Sequence, residues 1–149
     1  MILKKINDFI IKLIKINDSP QKVALGFSLG VALGIIPGSG PIASLFLAFL
    51  FKLNRASSLL GSLAVNTWFS FLVLVPAVKL AGIIFNLNWQ NLYNQWIVLV
   101  SEFKWQIILK FSLYKIILPI IVAYGIIALV VAIIVYPIVL SILKRCKYR

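Results

Sequence analysis

The chain has no histidine, one cysteine (Cys146) and three acidic residues, Asp8, Asp18 and Glu102. Each scarcity removes a class of function. Without His, and with the three acids scattered, the parts for a zinc site or a general acid–base pair are missing. No catalytic residue, metal ligand or cofactor is therefore assigned, and an enzyme is not expected. A lone Cys excludes an intramolecular disulfide, and in its basic tail it reads as a solvated thiol. Charge is also sparse: 12% of the 149 residues are Asp, Glu, Lys or Arg, against about 25% in a soluble domain. No charged-then-apolar leader followed by a small-residue cleavage site is evident at the N-terminus.

What fills the chain is apolar. Hydrophobic residues make up 62%, and the mean hydropathy is +1.08. Long charge-free runs include Val23–Phe51, Ala56–Val78 and Ile116–Leu143. Each exceeds the roughly 20 residues that cross a hydrocarbon core, so the expected class is an all-α integral membrane protein of one domain. Fifteen Lys/Arg give a net charge of +12. They lie between and beside the apolar runs rather than along one soluble face, which points to membrane topology and anionic headgroups, not nucleic acid.

The stretch Pro37-Gly38-Ser39-Gly40-Pro41 interrupts the first run. A helix does not pass through it, because Pro41 lacks an interior N–H and the glycines weaken what remains. Lys22 precedes the run, and Lys52 and Arg55 follow it. Basic residues at both ends favour both ends on the cytoplasmic side. Each half, Val23–Ile36 and Pro41–Phe51, reaches only about 21 and 16 Å as a helix, short of a core about 30 Å thick. Over 20–52 the expectation is thus a re-entrant or broken helical hairpin with Pro37–Pro41 at its tip. The rival is one long, kinked span that places Lys52 and Arg55 outside.

Around the hairpin the chain reads as follows. Residues 1–17 alternate apolar and basic at helical spacing, an interfacial amphipathic helix lying on the cytoplasmic leaflet or on its own domain. Asp18 or Ser19 can cap the next helix, with Pro20 in its first turn. Gly26, Gly30 and Gly34 share one stripe, a small-xxx-small surface whose expected role is helix packing. Segment 56–79 is small-residue rich and is interrupted at Asn66-Thr67, where Asn66 either caps a second half-helix or bonds across to a neighbour. Whether it crosses or re-enters stays open, since Leu80–Ser101 is an alternative span. Segment 86–115 mixes amides with Trp and Tyr, as an outer interfacial segment does. Residues 116–143 form a long C-terminal transmembrane helix, and 144–149 a basic cytoplasmic tail. This layout puts eleven basic residues inside and four outside, with both termini cytoplasmic and the chain multi-pass in the cytoplasmic (inner) membrane.

Taken in order, several pieces resemble a family of small, largely bacterial membrane proteins called domain of unknown function 2062. They are Ser19-Pro20, Ala24 through Gly34 leading into Pro37-Gly38-Ser39-Gly40, Lys52-Leu53-Asn54-Arg55, Gly61, Asn66-Thr67, and the stretch around Pro119, Gly125 and Tyr136. Two positions depart from the family pattern: Thr67 stands where Pro usually follows the Asn, and Lys52 where Arg is usual. The resemblance implies the membrane class and no settled activity.

Two functions fit these residues. In the first, the protein is a carrier or flippase for an anionic lipid or lipid-linked phosphate. Gly38, Ser39 and Gly40 with Asn66 and Thr67 then supply half-helix N-termini as an anion seat, and Lys52, Asn54 and Arg55 gather the headgroup at the mouth. In the second, it is a non-catalytic membrane scaffold that docks a membrane enzyme or further copies of itself through its glycine stripe and basic surface.

Overall fold

The computed structural model describes residues 18–38, 40–65, 67–101 and 114–147. The proposed helix over 1–17, and the site positions Ser39 and Asn66, lie outside the described residues. Six helices and no strand occur among those described: α1 Pro20–Ile35, α2 Gly40–Leu50, α3 Arg55–Ala64, α4 Thr67–Phe85, α5 Trp89–Ser101 and α6 Tyr114–Lys147.

The chain divides into two compact units, one of Met1–Ser70 with Ala128–Arg149, the other of Phe71–Ile127. In the first, α1 begins where Ser19 Oγ accepts from the Lys22 N–H at 3.4 Å, with Pro20 in the first turn. It ends at Ile36, which is extended (ψ 119°), as sterics favour for a residue before proline. Gly38 then takes φ +85°, open to glycine without strain. Gly40 starts α2. Beyond α2 the chain comes back to where α1 began: the Asn54 N–H donates to Lys22 O at 3.4 Å. The run Val23–Phe51 is therefore two helices folded on each other, not one rod.

The α2–α3 turn is closed by a six-to-one bond from Leu53 N–H to Ala48 O (2.8 Å) and an inner bond from Lys52 N–H to Phe49 O (3.2 Å), the Schellman pattern. Its left-handed position, usually glycine, holds Lys52 at φ +52°, a conformation that costs an L-residue about 1–2 kcal/mol. Asn54 then caps α3 through its Oδ1, which accepts from Ser57 N–H at 2.7 Å.

Because two reversals separate them, α1 and α3 run parallel, and they touch backbone to backbone. A Cβ on Gly26 would lie 2.5 Å from Ser57 Oγ and 2.6 Å from Asn54 O. One on Gly30 would overlap Ser58 O, and one on Gly34 would sit 2.9 Å from Ser62 O. From α3, a Cβ on Gly61 would overlap Phe27 O. The pairs 26/54, 30/58 and 34/62 keep one offset of 28 residues (54 − 26, 58 − 30, 62 − 34), so the two stripes match turn by turn. At the start of α1, Val23 and Ala24 form a small core with Leu143 of α6, flanked by Tyr136, Val139 and Leu140.

The second unit holds α4 from Phe71, α5, and α6 up to Ile127. Leu74, Ala77, Val78, Ala81, Leu92, Ile120 and Ala123 are buried there. Helix α4 ends as α2 does: Asn86 takes φ +52° and the Leu87 N–H reaches Gly82 O at 2.9 Å. Asn88 caps α5, its Oδ1 accepting from Gln90 and Asn91 N–H at 3.0 and 3.3 Å. Lys79 Nζ lies over the Trp89 ring, 5.3 Å from its centroid.

By length and composition α6 can cross a membrane: within its stretch Lys115–Arg145 an 18-residue window has a mean hydropathy of 3.1, and at 31 residues the stretch is about 46 Å long. Helices α1 and α2 are apolar but shorter, 16 and 11 residues. Gly30→Ala is expected to lower stability by about 3 kcal/mol, since its Cβ meets backbone that has no side chain to swing aside. Gly125→Ala, at an exposed helical position with nothing within 4 Å of the added carbon, is expected to raise it by about 0.5 kcal/mol. Thermal unfolding of the detergent-solubilised chain checks both.

Candidate functional site

The α1–α3 contact is polar as well as close. Ser44, Asn54, Ser57, Ser58 and Ser62 are all buried, and each has a use. Ser58 Oγ donates to Ser44 O at 3.0 Å, tying α3 to α2. Ser44 Oγ donates to Pro41 O at 2.8 Å and lies 3.2 Å from Ser62 Oγ. Ser57 Oγ donates to Asn54 O at 2.9 Å, and Asn54 Nδ2 donates to Asp18 Oδ2 at 2.9 Å. Among the described residues no buried side-chain nitrogen or oxygen lacks a partner. Hydroxyls this short satisfy themselves without holding the backbones apart, which is why small polar residues serve at such crossings. The glycines Gly26, Gly30 and Gly34 and the serines thus build the scaffold of the site.

The site itself lies at the C-terminal end of this pair. A cavity of about 240 Å³ is lined by Gly34, Ile36, Pro37, Gly38, Gly40, Pro41, Ser62, Leu63, Val65 and Ser70. Four helix ends border it: the last turns of α1 and α3 and the first turns of α2 and α4. Helix α3 stops at Ala64, Val65 leaves helical geometry (φ −100°, ψ 86°), and α4 opens at Thr67. The interruption foreseen at Asn66-Thr67 thus falls between two helices.

The electrostatics follow from those ends. First-turn N–H groups have no partner inside their helix, and a helix start carries about half a positive charge. Helix C-termini oppose this with carbonyls, but those of α1 are partly engaged: Leu33 O accepts from Ile36 N–H at 3.2 Å and Gly34 O from Ser70 Oγ at 3.4 Å. Gly40 lines the cavity with nothing within 4 Å of where its Cβ would be. At about 240 Å³ the space falls below the roughly 300–1,000 Å³ of pockets for drug-sized ligands.

The residues singled out from sequence divide into two places. Gly38 and Gly40 line the tip cavity, and Thr67 starts the helix that borders it. Lys52, Asn54 and Arg55 are at the other end of α1, around a second, larger hollow of about 680 Å³ that also includes Asp18 and Phe49. Of these three, Asn54 is buried as a cap and a brace, while Lys52 and Arg55 are exposed. The hydroxyls of Ser44, Ser58, Ser62 and Ser70 were not singled out. For Ser58 and Ser62 the signal was the four-residue spacing with Asn54, which mirrors Gly26, Gly30 and Gly34.

An apolar chain folded back at a proline–glycine tip, with a second break beside it, defines an all-helical protein of broken helices around a small cavity. The chain belongs to the family described as "Uncharacterized protein conserved in bacteria (DUF2062)", whose model matches residues 3–149. Comparison with curated proteins and with solved structures finds no match.

Asn54→Ala removes the α3 cap and the brace to Asp18, and is expected to lower stability by about 2 kcal/mol. Lys52→Gly relieves the left-handed lysine while adding freedom to the unfolded chain, for a net gain of about 0.5 kcal/mol. Denaturation midpoints of the two variants against the parent chain, in one detergent, test the pair.

Proposed function

We propose that the protein is a multi-pass carrier in the cytoplasmic membrane that moves an anionic lipid or lipid-linked phosphate between leaflets. The observation that carries this reading is the tip cavity, where two helices begin within an otherwise apolar fold. Non-helical backbone is tolerated at membrane depth only where protein or a wet cavity surrounds it. Half-helix N-termini facing such a cavity are how several transporters hold an anionic group without a buried cation. The hairpin α1–α2 re-enters from the cytoplasmic side, and α6 spans.

Further support comes from the surface. Ile42 is 84% exposed, Leu72 72% and Ile133 64%, a distribution suited to lipid rather than water. Lys22, Lys52 and Arg55 lie at the end of the hairpin away from the cavity, as the positive-inside rule asks of a cytoplasmic mouth. The glycine stripe is covered by α3 within the chain, so a scaffold's partner would have to bind another face.

Gly40→Leu fills the cavity without touching the framework. In vesicles reconstituted with the full chain and a fluorescent phosphatidylglycerol, the parent protein is expected to expose inner-leaflet label to an external quencher. Gly40→Leu is expected to slow that exposure by about tenfold or more, the effect of 1.4 kcal/mol on a barrier. Equal rates for protein-free and protein-containing vesicles would end the carrier reading.

A further inference from the structure

At the end of α1 opposite the tip, the α2–α3 turn brings cations and an apolar face together. We infer that this turn is a docking site for an anionic phospholipid of the surrounding leaflet, its phosphate held by Lys52 and Arg55 and an acyl chain laid along α2. The site is separate from the tip cavity and stands whether or not the protein transports.

Three observations converge. First, α2 carries Ile42, Leu45, Phe46, Phe49 and Leu50 on one face at helical spacing, all exposed, and that stripe runs into the turn. Second, the hollow of about 680 Å³ at its end is lined by Phe49, Leu50, Lys52 and Arg55. The Arg55 guanidinium is stacked on Phe49, 4.6 Å from the ring centroid, which orients a planar fork of donors suited to phosphate oxygens. Third, the turn keeps Lys52 in the left-handed position where glycine would fit without strain, and Asp18, the acid that lines the hollow among the described residues, accepts from Asn54. With Lys22 exposed and its carbonyl bonded to the turn at Asn54, this end of the unit carries three cations and one carboxylate among the described residues. That excess complements an anionic headgroup, whereas a zwitterionic one brings its own cation into the same place.

Native mass spectrometry of the full chain in detergent tests the inference, with phosphatidylglycerol, phosphatidylcholine of the same acyl chains, and inorganic phosphate as competitor. The parent chain is expected to hold phosphatidylglycerol about tenfold more tightly than phosphatidylcholine. Lys52→Gly combined with Arg55→Gln is expected to erase that preference, and the glycine leaves the turn geometry intact. Gly40→Leu is expected to keep it. A double variant that retains the preference overturns the inference, and so does displacement of the lipid by millimolar inorganic phosphate, which would make this a free-anion site. A dimer broken by Ile42→Asn with the lipid preference unchanged would give the α2 face to a second copy instead. If Gly40→Leu abolishes binding and the double variant does not, the lipid sits at the tip, and the carrier reading survives while this one falls.

Discussion

The contact on which the other features rest is the backbone-to-backbone meeting of α1 and α3. Gly26, Gly30 and Gly34 on one helix face Asn54, Ser58 and Ser62 on the other at a constant offset, and Gly61 of α3 leaves room for the Phe27 carbonyl of α1. Where lipid rather than water surrounds a helix pair, apolar burial gives little net attraction, and close packing with satisfied hydrogen bonds has to hold the pair. Side chains of one or two heavy atoms allow both. The parallel pairing then fixes where the ends go: both starts at the basic mouth, both stops at the tip cavity.

That geometry links packing to chemistry. Two helices that stop together leave room for two others to start together, and a helix start is an anion seat assembled from backbone alone. A chain without histidine and with three acids has few side chains with which to bind anything charged at depth. Its cations are kept at the ends of apolar runs, where in the proposed membrane setting they would meet headgroups without being desolvated. On the carrier reading proposed above, peptide dipoles would bind inside and Lys and Arg outside, a division of labour suited to this composition.

Much of this was legible in the residues. Proline and glycine at 37–41 force a break whatever surrounds them, and Lys22 with Lys52 and Arg55 argue that the chain comes back. The glycine stripe announces a close neighbour. What the stripe does not carry is the neighbour's identity, because register between helices is a property of pairs. The serines of α3 read as mere small residues until Gly26, Gly30 and Gly34 are seen opposite them. Lys52 gave no sign of its left-handed backbone, since that conformation is set by the turn and the residue there is not the usual glycine or asparagine. Asn54 read as part of a polar turn and a possible headgroup ligand; burial makes it instead a cap for α3 and a brace to Asp18.

The most direct test of the account is the distance between Lys22 and Lys52. Spin labels at those two positions, in the Cys146→Ser chain in lipid, report it by pulsed electron–electron resonance. Since Asn54 N–H lies 3.4 Å from Lys22 O, the folded-back hairpin predicts a label separation below about 20 Å, two label arms included. An unbroken rod through the thirty intervening steps gives about 45 Å, and that value would contradict the parallel pairing, the tip cavity and the basic mouth together.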